Sequence, residues 1–257
     1  MTNFIRKHSL LAMLFVSVMI LNLTSCLSTA DLTESQRIGA KHSPAALYSV
    51  YVDGNAAVYT EEAVRKFMNE VLTMDAGFTF VDQAAVEAIC ESSMEKAKRK
   101  AKFKNVMGVL TGQKSIGSAI LDGIGIQYDR EYIFKAIARN KATKSQFFVL
   151  VTVRGGVRED GSLVKPAVAT NVSIYNKKNK LLKQITAVSS IEPIDVIDEE
   201  SKNTVLDAFP ELVEKSMALA AKNMHKKDKF FEINALTEAT TEIVTNRPWP
   251  VGLKVYE

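Results

Sequence analysis

Apolar positions along the chain fall into runs of three kinds, and each kind predicts a different element. The first is a continuous run over residues 10–23, broken only by Ser17 and Asn22. It is too short to cross a hydrocarbon core of about 30 Å, which takes about 20 apolar residues in a helix. It has instead the length of the apolar part of an export signal, and Arg6 and Lys7 supply the positive region before it. The second kind repeats at helical spacing. Val64, Phe67, Met68, Val71 and Leu72 predict a helix capped by Thr60, with Glu61 and Glu62 in its first turn and Gly77 breaking the pattern. Val86, Ile89, Cys90, Met94 and Ala97 predict a second helix opened by Asp82, and Ile133, Phe134 and Ile137 a third over residues 131–141. Val205, Phe209, Leu212, Val213, Met217, Ala220 and Met224 predict a long last helix, in which Pro210 makes either a kink or the first turn of the main part.

The third kind is the strand. Residues 47–52, LYSVYV, are rich in β-formers and precede the turn pair Asp53-Gly54, and residues 78–81 form a short candidate strand. Residues 147–153, FFVLVTV, are apolar on both faces, as a central strand must be. Gly155-Gly156 and Asp160-Gly161 read as punctuation of the connection that follows. Over residues 168–175, Val168, Thr170, Val172 and Ile174 share one face and Ala169, Asn171, Ser173 and Tyr175 the other, which predicts a half-buried antiparallel strand. Residues 176–179 make a hairpin loop, residues 181–188 the returning strand, and residues 251–256 a candidate edge strand. The order strand–helix–strand–helix–strand–hairpin–helix is that of an α/β (α+β) fold, a small mixed sheet with helices packed on it. Residues 105–131 interrupt the order: they hold five of the 12 glycines among Val, Leu and Ile, as a hairpin, a membrane-touching insertion or a mobile loop would.

The apolar run near the start ends in Leu23-Thr24-Ser25-Cys26. This resembles the lipobox of bacterial lipoproteins, which implies a lipid on the Cys26 sulfur, cleavage before Cys26 and acylation of the new amino group. Residues 1–25 are then a signal, 26–46 a lipidated tether rich in Ser, Thr, Ala and charge, 47–226 the α/β domain with 105–131 as its insertion, and 227–257 a C-terminal extension. Leu27 is not the aspartate that retains lipoproteins at the inner membrane in Gram-negative sorting, so the expected place is the envelope, facing periplasm or cell surface, with the outer membrane favoured.

Removal of residues 1–25 leaves 232 of the 257 residues and takes two units from the formal charge of +4. Such a chain has no global pull towards nucleic acid. Cys90 becomes the only unmodified cysteine, so no disulfide can form within the chain, and its position in an apolar stripe favours packing over reactivity. Charge is local: Lys96, Lys98, Arg99, Lys100, Lys102 and Lys104 crowd the far end of the second helix. They suit a solvated helix C-terminus, where the dipole favours cations, or a contact with anionic lipid or an acidic cell-wall polymer.

Three stretches carry a wider resemblance: residues 78–89 (FTFVDQAAVEAI), 136–153 (AIARNKATKSQFFVLVTV) and 171–188 (NVSIYNKKNKLLKQITAV). Their order, with the last helix, resembles the small α/β domain shared by the curli-secretion lipoproteins (CsgG-like), the penicillin-binding-protein activators (LpoB-like) and the N-terminal domain of TolB, over residues 47–226. The resemblance implies a lipid-anchored or periplasmic protein that acts by contact or assembly and not as an enzyme.

Chemistry with a recognisable spacing is not encoded. His42 and His225 stand far apart, and neither an H-E-x-x-H nor a C-x-x-C spacing occurs, so no metal or other cofactor is expected. Residues 108–115, GVLTGQKS, miss the spacing of a phosphate-binding loop, and Ser115 lies in G-x-x-S-x-G and not in the hydrolase elbow. The acids Glu192, Asp195, Asp198, Glu199 and Glu200 lack the ligand spacing of a calcium loop and suit a helix N-terminus. The expectation is a non-enzymatic binding or assembly module, partnered by the membrane through Cys26 and by another envelope protein or the cell wall. Two rivals stand beside it: a homo-oligomeric pore whose 105–131 segment touches the membrane, and a hydrolase without a motif.

Overall fold

Two strands of 14 residues, β3 (Phe147–Asp160) and β4 (Leu163–Asn176), form one antiparallel hairpin, turned at Gly161 with φ 64°. The computed structural model describes residues 44–110, 129–224, 230–234, 240–243 and 253–256, all within a unit of residues 41–257. Around that hairpin lie β1 (Pro44–Gly54), β2 (Thr79–Phe80), β5 (Leu181–Ser190), β6 (Ile194–Asp195), β7 (Phe230–Asn234) and β8 (Thr240–Ile243). They form one mixed sheet in the order β2-β1-β3-β4-β5-β7-β8, with β6 on β4. The β1–β2, β1–β3 and β5–β7 pairs are parallel and the others antiparallel. This is the α/β architecture expected from the strand and helix periodicities.

The helices are α1 (Glu61–Ala76), α2 (Gln83–Leu110), α3 (Arg130–Arg139), α4 (Glu199–Asp207) and α5 (Phe209–Lys222). From β1 the chain steps outward to β2, then back across β1 to β3. Right-handed crossovers in opposite directions put their helices on opposite faces of a sheet. Accordingly α1 packs with α5 on one face, where Ser216 meets Thr170 of β4 at 2.7 Å. On the other face α2 and α3 enclose Ala46, Phe148 and Tyr175. A β-bulge at Tyr48, between Leu47 and Ser49, turns that ring edge-on to Phe134 at 4.9 Å, and the Leu47 carbonyl accepts a hydrogen bond from Arg65 of α1. Phe134 of α3 also stacks on Phe148 of β3 at 4.1 Å, which fixes α3 on the sheet.

Several expectations hold in detail. Thr60 accepts from the Ala63 N–H at the start of α1, and Gly77 ends it in the left-handed conformation, φ 70°. Pro210 stands in the first turn of α5 and does not kink it, because Ala208 separates α4 from α5. Others are corrected. Gly155 and Gly156 lie inside β3, not in a connection: a Cβ on Gly155 would stand 2.4 Å from the Ala56 nitrogen, and one on Gly156 2.5 Å from the Lys254 carbonyl oxygen. Close approach of backbone, not a turn, requires glycine there. Strand β4 is buried on both faces and not half-buried; Asn171 is satisfied by donating to Thr186 and accepting from Ser173, each at 2.8 Å. The first strand opens at Pro44, inside the expected tether, because Ala45 and Ala46 are wholly buried in the sheet. Parts of the expected extension also join the sheet: β7 pairs with β5, and Lys254 exchanges backbone hydrogen bonds with Val157. The Asn55 side chain donates to the Tyr256 carbonyl at 2.8 Å and accepts from its N–H at 2.7 Å, so residues 253–256 close over the ends of β1 and β3. Trp249 lies outside the described residues.

Candidate functional site

The basic run sits on α2, and the position of α2 follows from its first half. Asp82 accepts from the Ala84 N–H at 3.3 Å, and Val86 and Ala97 are buried against Ile133, Phe134 and Ile137, with Ile89, Cys90 and Met94 partly buried beside them. Burial pushes the Cys90 thiol up to about 11, so it rests as a packing group and not as a thiolate. Ala97 is the last buried residue of the helix with a described side chain. There α3 begins: the Asp129 N–H donates to the Ala97 carbonyl at 3.1 Å, and the Asp129 carboxylate caps α3 by accepting from the Tyr132 N–H.

Beyond Ala97 the helix continues to Leu110, and this overturns one expectation. The cations do not complement a helix C-terminus, since the last turn holds no basic residue and the run ends six positions before Leu110. A macrodipole acts only within the last turn. The expected 105–131 insertion is likewise helical over residues 105–110, and α3 starts at Arg130; residues 111–128 lie outside the described residues.

The structure divides the six cations into two sets. Lys98 pairs with Glu95 at 3.2 Å. Lys100 stands over the Tyr132 ring, 4.8 Å from its centroid. Lys104 reaches Asp129 at 2.8 Å and Glu131 at 3.7 Å, and its hydrogen bond to Asp129 holds the ammonium above the ordinary lysine range. Glu131 also pairs with Lys135, which holds its carboxyl below the usual range. Lys96, Arg99 and Lys102 are exposed and have no ion pair among the described residues.

At about 100° per residue, Arg99, Lys102, Phe103 and Val106 fall within an arc of about 100° opposite Ala97, with Lys96 at its border. Phe103 is 66 % exposed and Val106 58 %. The block of cations is conspicuous in the sequence; Phe103, Val106 and Asp129 are not. The signals were present: Phe103, Val106 and Met107 at i, i+3 and i+4, and an Asp-x-Glu helix start at Asp129.

Other candidates fare differently. Asp198 caps α4, accepting from the Ser201 N–H at 2.9 Å, a bond that lowers its carboxyl, with Glu199 and Glu200 in the first turn; the acids there serve a helix N-terminus. Cys26, His42, His225, Ser115 and the 111–128 part of the insertion lie outside the described residues. Among the described residues no helix is long and apolar enough to cross a membrane, and no group of His, Cys, Asp and Glu has the arrangement of a metal site.

No family model and no curated protein matches this chain. Among solved structures, a match is the hypothetical protein CT253 from Chlamydia trachomatis, at 10 % identity and a TM-score of 0.38, covering 73 % of this chain and 99 % of that one. At those values the likeness decides neither fold nor function.

Proposed function

We propose that this chain is a lipoprotein of the bacterial envelope, acylated at Cys26, whose α/β domain is a non-enzymatic binding or assembly module for another envelope protein or the cell wall. The observation that carries the reading is Leu23-Thr24-Ser25-Cys26 at the end of an apolar run of export-signal length. A multiply acylated N-terminus holds a protein on a bilayer firmly, since each buried methylene contributes about 0.8 kcal/mol. The near-neutral balance of the mature chain and the resemblance of residues 47–226 to lipid-anchored contact proteins point the same way.

The test is the intact mass of the protein purified from bacterial membranes. Cleavage before Cys26 with acyl chains on that residue is expected, and Cys26→Ala should lose both the acyl mass and the firm membrane attachment. An unacylated product cut elsewhere would overturn the reading. Light scattering of the acylated protein in detergent tests the module: a defined ring of many subunits would replace it with an assembled pore.

A further inference from the structure

We propose that the exposed face of α2 beyond Ala97, formed by Lys96, Arg99, Lys102, Phe103 and Val106, is a second, peripheral contact with a membrane, reading anionic phospholipid headgroups. The inference deepens the lipoprotein reading and rests on it for the bilayer being near.

Three observations lead to it. First, residues 96–107 contain six cations and no acid. Lys96 and Lys100, Lys98 and Lys102, and Lys100 and Lys104 are like-charged pairs at i, i+4, each of which disfavours the helix by about 0.2–0.5 kcal/mol. The protein answers Lys98, Lys100 and Lys104 with its own groups and leaves Lys96, Arg99 and Lys102 facing solvent. An anionic surface would offset that repulsion by attracting each of the three. Second, Phe103 and Val106 are exposed in the same arc, and cations around an aromatic and an aliphatic side chain are the composition of a helix lying in a headgroup layer. A soluble acidic polymer would draw on the charges and leave these two side chains without a role. Third, the geometry allows it: α2 is 28 residues, about 42 Å at 1.5 Å per residue. The 18 residues from Cys26 to Pro44 can span up to about 60 Å at full extension, more than the length of α2, so tether length does not keep α2 from a bilayer at Cys26.

The acyl chains are kept out of the test by using the mature chain with Cys26→Ala, in flotation with phosphatidylglycerol-containing or pure phosphatidylcholine vesicles. Flotation with the first and not the second is expected. Lys96→Gln, Arg99→Gln and Lys102→Gln together should lower partition about a hundredfold, given about a fivefold contribution from each cation near an anionic surface. Phe103→Ala with Val106→Ser should remove the part of the binding that survives high salt, roughly tenfold. No flotation, equal flotation of wild type and the triple variant, or capture by a soluble anionic polymer in place of vesicles would overturn the proposal. Because these side chains are exposed, the variants keep the fold, which circular dichroism checks. The intact mass of the membrane-purified wild type reports acylation independently, so either reading can fail alone.

Discussion

Helices α5 and α2 cover opposite faces of one sheet and are held there by different means. Eight of the 14 residues of α5 are buried, among them Phe209, Leu212, Val213 and Met217, so its position follows from the core. In α2 only Val86, Ser93 and Ala97 are buried among the described side chains, although the helix is twice as long. Isolated helices shorter than about 12–15 residues are marginal in water. The part of α2 past Ala97 is of that size, and it draws on intrinsic propensity, from Ala, Lys and Arg, together with contacts such as Lys104–Asp129 and Lys100 over Tyr132. A core explains why α5 is long. Among the described residues, core burial does not account for the continuation of α2 past Ala97.

The strongest way to break this contrast is to truncate one side chain on each helix. Leu212→Ala removes a fully buried side chain and should cost about 3 kcal/mol in urea unfolding. Phe103→Ala, although it deletes a larger group, should change stability by less than about 0.5 kcal/mol. A cost for Phe103 comparable with that of Leu212 would mean that its ring is packed in the folded protein.

A smaller effect belongs to the junction. Asp129 caps α3 and anchors Lys104, and its side chain is 8 % exposed. Asp129→Ala should cost about 1–2 kcal/mol, the loss of a cap together with a charged hydrogen bond. Amides past Ala97 should then exchange hydrogen faster, while those between Val86 and Ala97 keep their protection. Unchanged exchange past Ala97 would show that the overhang does not depend on this contact.

Helix periodicity and capping chemistry made α1, α3 and α5 legible in the sequence, because Thr60, Gly77 and Pro210 are local signals that the fold does not override. What escaped was non-local. Gly155 and Gly156 look like a turn until the Ala56 and Lys254 backbones are seen against them. Asn171 and Ser173 look solvent-facing because alternation reports polarity and not whether polar groups satisfy one another in the interior. On α2 the six cations stand out as a block, yet which are answered depends on Glu95, on Tyr132 of α3 and on Asp129, which caps α3.

Lys104 and Glu131 meet where the overhang leaves the domain, and each lets go at a different pH. Glu131 is held below its ordinary value of 4.5, first by the Lys135 hydrogen bond and then by the charges of Lys135 and Lys104. A carboxyl with a depressed folded value stabilises fully above its unfolded value, and that contribution is lost as pH falls through the folded one. Lys104 has the opposite sense: its folded value lies above 10.5, so its contribution is complete below 10.5 and lost as pH rises through the folded value. The Lys104–Glu131 pair is therefore intact across the neutral range and lost at either extreme. Both groups are partly exposed, so the effect is a fraction of a kcal/mol. Urea midpoints of wild type and Glu131→Gln should differ near neutrality and converge as pH falls below 4.5. A constant difference down to the acid transition would show that Glu131 acts through its shape and not its charge.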